Sequence, residues 1–258
     1  MKTAIIGYGY VGKSVKNLFP DSLIFDPNQK ELSSSKEEIN ACDAAFVCVP
    51  TNMLPDGSCD TSIVEESVGW LKTSLVIIRS TIKPGTTAKL IKQYPDKNIV
   101  FQPEFVGETT AHPMNNQRET NFVIFGGSVE NCSKALDLYK QAYNASVKSY
   151  FLPPTEAELV KYFVNTSIAA KVTLVNEFYE ICKTLGVSYD LVREGFLMDP
   201  RMSRYFTFIY PGKRGFDGKC IPKDVNAIAK ASEEAGYTPE FIRDILENNK
   251  RFHELNKK

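Results

Sequence analysis

The stretch Thr3-Ala4-Ile5-Ile6-Gly7-Tyr8-Gly9-Tyr10-Val11-Gly12 decides how this chain is read. A short run rich in isoleucine ends in a Gly-x-Gly-x-x-Gly turn, and an amphipathic stretch over residues 10–19 follows at once. Strand, glycine turn and helix in that order form a phosphate cradle: glycines permit the tight turn and bring backbone N–H groups close to a pyrophosphate at the positive end of the helix. Asp26 ends the next apolar run, about 20 residues after Gly7, where a carboxylate accepts hydrogen bonds from ribose hydroxyls. A carboxylate there repels a 2′-phosphate, so the expected cofactor is NAD rather than NADP. A glycine turn that merely packs a helix on a sheet would explain the glycines but not Asp26.

Outward from that motif, short β-branched runs at 2–6, 23–25, 44–49, 75–79, 98–101, 121–125 and 146–151 alternate with helical patterns at 10–19, 62–71, 86–93 and 129–143. Buried strands separated by crossover helices predict a Rossmann-type, doubly wound, mostly parallel α/β sheet over residues 1–152. At Pro153-Pro154 the texture changes. Thr155-x-x-Glu158 has the form of a capping box and opens a periodic stretch without Gly or Pro until Gly186, a helix of about 30 residues and roughly 45 Å. Between Leu159 and Asn176 its only charged side chains are Lys161 and Lys171, so most of its circumference is expected to be covered by other protein. Shorter helices are expected at 189–197, 223–235 and 239–255, the last with Thr238 as N-cap. Residues 153–258 thus read as an all-helical domain built on one long central helix.

Composition sets outer limits. The 258 residues include 31 basic and 31 acidic side chains, which leaves no electrostatic footprint for nucleic acid or an anionic membrane. No apolar run approaches the roughly 20 residues that span a bilayer, and no leader is expected. The six cysteines contain no Cys-x-x-Cys pair and there are only two histidines, so no metal site is expected. Reduced thiols in the cytoplasm are the simplest reading.

Gly218-Lys219-Cys220-Ile221-Pro222-Lys223-Asp224 places one thiol in a glycine turn just before a helix, where the helix dipole and neighbouring lysines favour the thiolate. A nucleophile and a cysteine that merely lies in a loop both account for it. Asp224, four residues on, can face the same pocket. Lys161 and Asn165 share one face of the long helix at i,i+4, as a pair of donors for an oxyanion, or as a lysine whose ammonium reaches past its cover to solvent. Ser80-Thr81 and Gln102-Pro103-Glu104-Phe105-Val106-Gly107-Glu108 follow expected strands at their carboxyl ends, where ligands bind in open sheets.

Six segments in order resemble the UDP-glucose/GDP-mannose dehydrogenase family: the glycine motif, Ser80-Thr81, Pro103-Glu104-Phe105-x-x-Glu108, Glu158-Leu159-x-Lys161-x-x-x-Asn165, Asp199-x-Arg201 and Gly218-x-Cys220-x-Pro222-Lys223-Asp224. The resemblance implies oxidation of a nucleotide sugar's C6 hydroxyl to a carboxylate, with two NAD used in turn and a thioester on the cysteine. UDP-glucose is the leading substrate on that reading. It implies Cys220 as nucleophile, Lys161 and Asn165 as oxyanion donors, Asp224 and Thr81 holding the water that relays protons, and Glu104 or Glu108 assisting hydrolysis. Cofactor contacts would come from Gly7, Gly9, Tyr10, Val11, Gly12, Asp26 and Thr81. Substrate contacts would come from Glu104, Lys161, Gly218 and Tyr205, with Arg201 reaching the site of a neighbouring subunit in a homodimer built on the long helix.

Departures are Asp217 where the family commonly has glycine, Thr109 after Glu108, and above all length. Members of the family continue into a second α/β domain for the nucleotide of the substrate, and that domain is expected to be lacking here. A partner subunit, a smaller sugar or a separate chain would each compensate. Two alternatives stand beside this reading: a two-electron β-hydroxyacid-type dehydrogenase, which needs no Cys220, and a non-catalytic NAD-binding subunit.

Overall fold

The computed structural model describes residues 1–107, 120, 122–143 and 147–257, and divides the chain into two compact units. The first comprises Met1–Pro55 and Cys59–Lys161, the second Asp56–Ser58 and Tyr162–Lys258.

The first unit is one seven-stranded sheet of β1 (Thr3–Ile6), β2 (Leu23–Phe25), β3 (Ala44–Val47), β4 (Leu75–Ile78), β5 (Asn98–Phe101), β6 (Phe122–Gly126) and β7 (Lys148–Leu152). Its order is β2-β1-β3-β4-β5-β6-β7, parallel except where β5 meets β6 at Phe101 and Gly126. The crossover helices are α1 (Tyr10–Leu18), α2 (Lys36–Asn40), α3 (Ser62–Trp70), α4 (Thr86–Gln93) and α5 (Val129–Tyr143). This is the Rossmann-type arrangement expected from the alternation of short apolar runs with helical stretches.

Period-two alternation divides each inner strand between two cores. Ile6, Val47, Ile78 and Phe101 pack with Val64 and Val68 of α3 and Leu90 of α4 on one face. Ile5, Phe46, Ile77 and Val100 pack with Val15 and Leu18 of α1 and Leu138 and Tyr139 of α5 on the other. The chain leaves β1 for β2 on one side and returns to β3 on the other, so the crevice at the carboxyl ends of β1 and β3 is the topological switch point where such sheets take ligands.

Helix α6 (Pro154–Thr184) is 31 residues long, as its periodicity predicts. Its first turns belong to the first unit, where Ala157 packs into the sheet core and an added Cβ on Gly126 would meet Ala157 Cβ at 2.5 Å. Glu158 does not act in the capping box read from the sequence. Its carboxylate accepts N–H bonds from Gly85 at 2.5 Å and Thr87 at 2.8 Å, closing the start of α4 instead. A four-residue pattern reports only local possibilities, and here a helix distant in sequence supplies the donors.

The second unit holds the rest of α6 with α7 (Tyr189–Phe196), α8 (Ile221–Glu234) and α9 (Glu240–Leu255). Ala169, Phe216, Val225 and Ile245 form one small core, and Val175, Cys182 and Tyr189 another. Helix α8 starts two residues earlier than expected, which makes Cys220 its N-cap, and α9 is capped by Pro239 rather than Thr238. The expected cover on α6 is incomplete within this chain: Phe163 is 76% exposed, Leu174 55% and Leu185 70%.

Candidate active site

In the first unit the glycine turn sits at the switch point and its three glycines have different reasons to be there. Gly7 has φ +87°, and a Cβ on it would meet the Cys48 carbonyl oxygen at 2.7 Å where the chain leaves β3. A Cβ on Gly12 would meet Gly7 O at 2.2 Å, which fixes the close packing of α1 on its own turn. A Cβ on Gly9 would meet nothing within 4 Å. That open face lies at the start of α1, which has no side-chain cap and no acidic residue in its first turn, so its first N–H groups suit a pyrophosphate. The residues therefore fit a dinucleotide.

Asp26 stands at the end of β2 as expected, 8% exposed. Its carboxylate accepts from the Tyr8 N–H at 2.7 Å and the Asn28 N–H at 2.9 Å. It therefore braces the glycine turn, and its remaining lone pairs suit hydroxyl donors such as those of a ribose. Tyr10 begins α1, and its hydroxyl donates to Gly107 O at 2.5 Å, tying that helix to the loop after β5; Val11 is half-buried beside it.

The carboxyl ends of β4 and β5 carry the acidic part of the site. Glu104 is 6% exposed and forms an ion pair with Arg79, itself 2% exposed. The other Glu104 oxygen accepts from the Val106 N–H at 2.5 Å. Arg79 also donates to the Tyr139 hydroxyl at 3.0 Å, and Tyr139 donates to Gln102 Oε1. Burial pushes the Tyr139 phenol up to about 12, so it remains a donor. Ser80 Oγ donates to Val49 O at 2.7 Å, and Cys59 Sγ lies 3.5 Å from Thr81 O, which fixes the backbone of the half-buried Thr81. Lys161 places its ammonium over the Phe105 ring, 5.8 Å from the centroid. Arg79 and Tyr139 were not singled out from the sequence, and Gln102 was read only as the start of the segment that runs to Glu108. Their partners lie 25 to 60 residues away, and no local spacing marks them. Glu108 lies outside the described residues.

In the second unit the sequence pieces converge. Asn165 of α6 donates from Nδ2 to Asp224 Oδ2 at 2.6 Å, and the pair is buried. Lys223 holds the other Asp224 oxygen at 2.6 Å, and the Asp224 N–H donates to Cys220 O at 2.9 Å. Cys220 is exposed while the other five cysteines are buried. Gly218 has φ +90°, and its N–H donates to Asp217 Oδ1 at 2.7 Å, so Asp217 closes this turn with its own carboxylate. Arg201 and Tyr205 are exposed, and Arg201 is held against Asp199 at 2.6 Å.

Residues 21–144 match the NAD binding domain of the UDP-glucose/GDP-mannose dehydrogenase family, and residues 155–251 match that family's central domain. The chain belongs to this family. It is 28% identical to UDP-glucose 6-dehydrogenases of Haloferax volcanii, where the match covers 96% of this chain and 69% of the relative, and of Bacillus subtilis, where it covers 83% and 47%. A UDP-glucose dehydrogenase structure from Pyrobaculum islandicum superposes with a TM-score of 0.80 at 26% identity, over 97% of this chain and 68% of that one. The chain thus spans from about half to about two thirds of the relatives it matches. The family's NAD binding domain agrees with the cofactor read from Gly7 to Gly12 and Asp26. Among the described residues, no helix is long and apolar enough to cross a membrane and no cluster of ligands could hold a metal.

Proposed function

We propose that this chain oxidises the C6 hydroxyl of a nucleotide sugar, with UDP-glucose the first candidate, to the carboxylate through a covalent intermediate on Cys220. The observation that carries the reading is the convergence of Asn165, Lys223 and Asp224 with the Cys220 backbone at the start of α8. An exposed thiol one helical turn before a buried, hydrogen-bonded carboxylate suits nucleophilic capture followed by hydrolysis.

NAD, when bound, accepts one hydride in each of two oxidations. In the first, C6 loses a hydride and the hydroxyl its proton, giving an aldehyde. Cys220 sulfur then adds to that carbonyl carbon, and the oxygen takes up a proton to give a thiohemiacetal. Loss of the second hydride and of that proton leaves a thioester, and water then cleaves the C–S bond to release the acid and return the thiol. Asn165 and Lys161 would stabilise the oxyanions of the addition and hydrolysis steps. Asp224 and Thr81 would hold the water, and Glu104 or Glu108 would assist its attack. Arg79 keeps Glu104 in one orientation for that task.

The partners proposed with this function are the nucleotide sugar, bound by Glu104, Lys161, Gly218 and Tyr205, and a second copy of the chain that receives Arg201. Exposed Phe163, Leu174, Phe178, Ile181 and Leu185 fall on one face of α6 and support that pairing. The five buried thiols suit a reducing, cytoplasmic setting.

The test is NADH formed per molecule of substrate across a panel of nucleotide sugars and free sugars. Two NADH per substrate is expected, with Cys220→Ser abolishing sustained turnover. One NADH per substrate, or a fully active Cys220→Ser enzyme, overturns the reading in favour of a two-electron dehydrogenase.

A further inference from the structure

The loop that leads into Cys220 is held by its backbone, and the side chains that hold it have no part in the scheme above. Asn249 of α9 ties Phe216 at both ends: its Oδ1 accepts the Phe216 N–H at 2.7 Å and its Nδ2 donates to Phe216 O at 2.9 Å. His253 Nε2 lies 3.1 Å from the same carbonyl oxygen. Asn256 repeats the pattern on Arg214, accepting its N–H at 2.7 Å and donating to its carbonyl at 3.2 Å. Positions 249, 253 and 256 fall at i, i+4 and i+7, one face of α9. Between the two tied residues, Gly215 has φ +82°, and a Cβ there would meet Asn249 Oδ1 at 2.5 Å.

From α6, Asn176 Oδ1 accepts from Arg214 Nε and Glu180 from Arg214 Nη1, both at 2.6 Å. Arg214 and Asn249 are 7% and 9% exposed, so these are interior contacts. Phe216 carries the restraint inward, with its ring in the core beside Val225 of α8.

Buried backbone groups must find partners, and here they find them in side chains rather than in a strand or helix. Only Asp217, Gly218 and Lys219 separate the tied Phe216 from Cys220, the N-cap of α8. A three-residue connection has little reach, roughly 10 Å when extended. The position of the sulfur is then set by two fixed ends, Phe216 on one side and α8 on the other.

We propose that Asn249, supported by Asn256 and Arg214, is a positioning residue for the Cys220 thiol. The proposal rests on the reading of Cys220 as the nucleophile. An amide that reads only the N–H and C=O of one residue fixes where that peptide lies and how it is rotated, whatever side chain it bears.

The test is alkylation of the intact protein by iodoacetamide across a pH series without NAD or substrate, with labelled peptides identified by mass spectrometry. Cys220 is the exposed thiol of the six, and burial pushes Cys48 up to about 12 and Cys132 to about 11, so native labelling reads Cys220. Asn249→Ala is expected to move the Cys220 pH profile towards that of an unstructured cysteine peptide. It is also expected to lower kcat at least tenfold while leaving the KM for NAD within twofold. Asn249→Asp, which keeps the acceptor for the Phe216 N–H, should fall between, and Asn256→Ala should shift the profile less in the same direction.

A folded Asn249→Ala protein with the wild-type alkylation profile overturns the proposal, whatever its kcat. If that variant does not fold, wild-type profiles in both Asn249→Asp and Asn256→Ala overturn it. Full two-NADH turnover by Cys220→Ser would remove the covalent reading, whereas an unmoved alkylation profile beside an inactive Cys220→Ser would remove only the clamp.

Discussion

The Asn165 amide donates to the Asp224 carboxylate at 2.6 Å across 59 residues of sequence. Asp224 is 1% exposed and its second oxygen is taken by Lys223, so Asp224→Asn would leave an ammonium facing an amide. Lys223 is half-buried and can turn towards water, so the expected loss is about 1–3 kcal/mol, less than for a fully buried pair. If Asp224 holds the hydrolytic water, kcat should fall about 100-fold. The acyl-enzyme should accumulate on Cys220, visible as added mass in the quenched protein. A kcat within twofold of wild type would remove Asp224 from the chemistry.

Arg79 and Glu104 make a different kind of pair, because both partners are nearly buried. Arg79→Met strands the Glu104 carboxylate, and the expected cost is about 3–5 kcal/mol by urea unfolding. Adding Glu104→Gln should recover part of that loss while leaving the protein inactive. Additive effects in this double-mutant cycle would show that the ion pair contributes nothing of its own.

These two pairs also mark what could be read from the residues alone. Asn165 and Asp224 were legible because each belongs to a short motif whose residue types suggest chemistry. The inner strands were legible because nearly every residue in them is apolar. Arg79 was hidden at the end of one of those apolar runs, 75–79, and Tyr139 lies on an amphipathic helix where an aromatic side chain is ordinary core. Glu158 matched a local pattern that its tertiary partners at Gly85 and Thr87 overrode. Asn249 and Asn256 belong to no motif in the sequence, and only the folded chain turns them onto a loop. The five-residue α2 is too short to show a period.

The apolar face of α6 predicts an assembly. Phe163, Leu174, Phe178, Ile181 and Leu185 recur at spacings of eleven, four, three and four, close to one stripe of a straight helix. In a two-fold dimer each residue is buried twice, so Phe178→Glu places two charges in one apolar seam. Light scattering should show the wild type as a dimer and the variant as monomer with reduced activity. A fully active wild-type monomer would remove the shared site assigned to Arg201.

Glu158 gives a pH test whose sign is unambiguous. Burial raises its carboxyl above the ordinary value, outweighing the N–H bonds from Thr87 and Gly85 that favour the anion. Folding therefore favours the protonated form. Its contribution to stability is fully present below the unfolded value near 4.5 and is lost as pH rises through the raised folded value. Glu158→Gln resembles the protonated form at every pH and lacks this term. The stability of the variant relative to wild type, from urea unfolding at pH 4 and pH 7, should therefore be more favourable at pH 7. A difference that is constant with pH would mean that the Gly85 and Thr87 bonds cancel the cost of burial. A difference that grows towards acid would mean that those bonds outweigh it and hold the carboxylate as the anion.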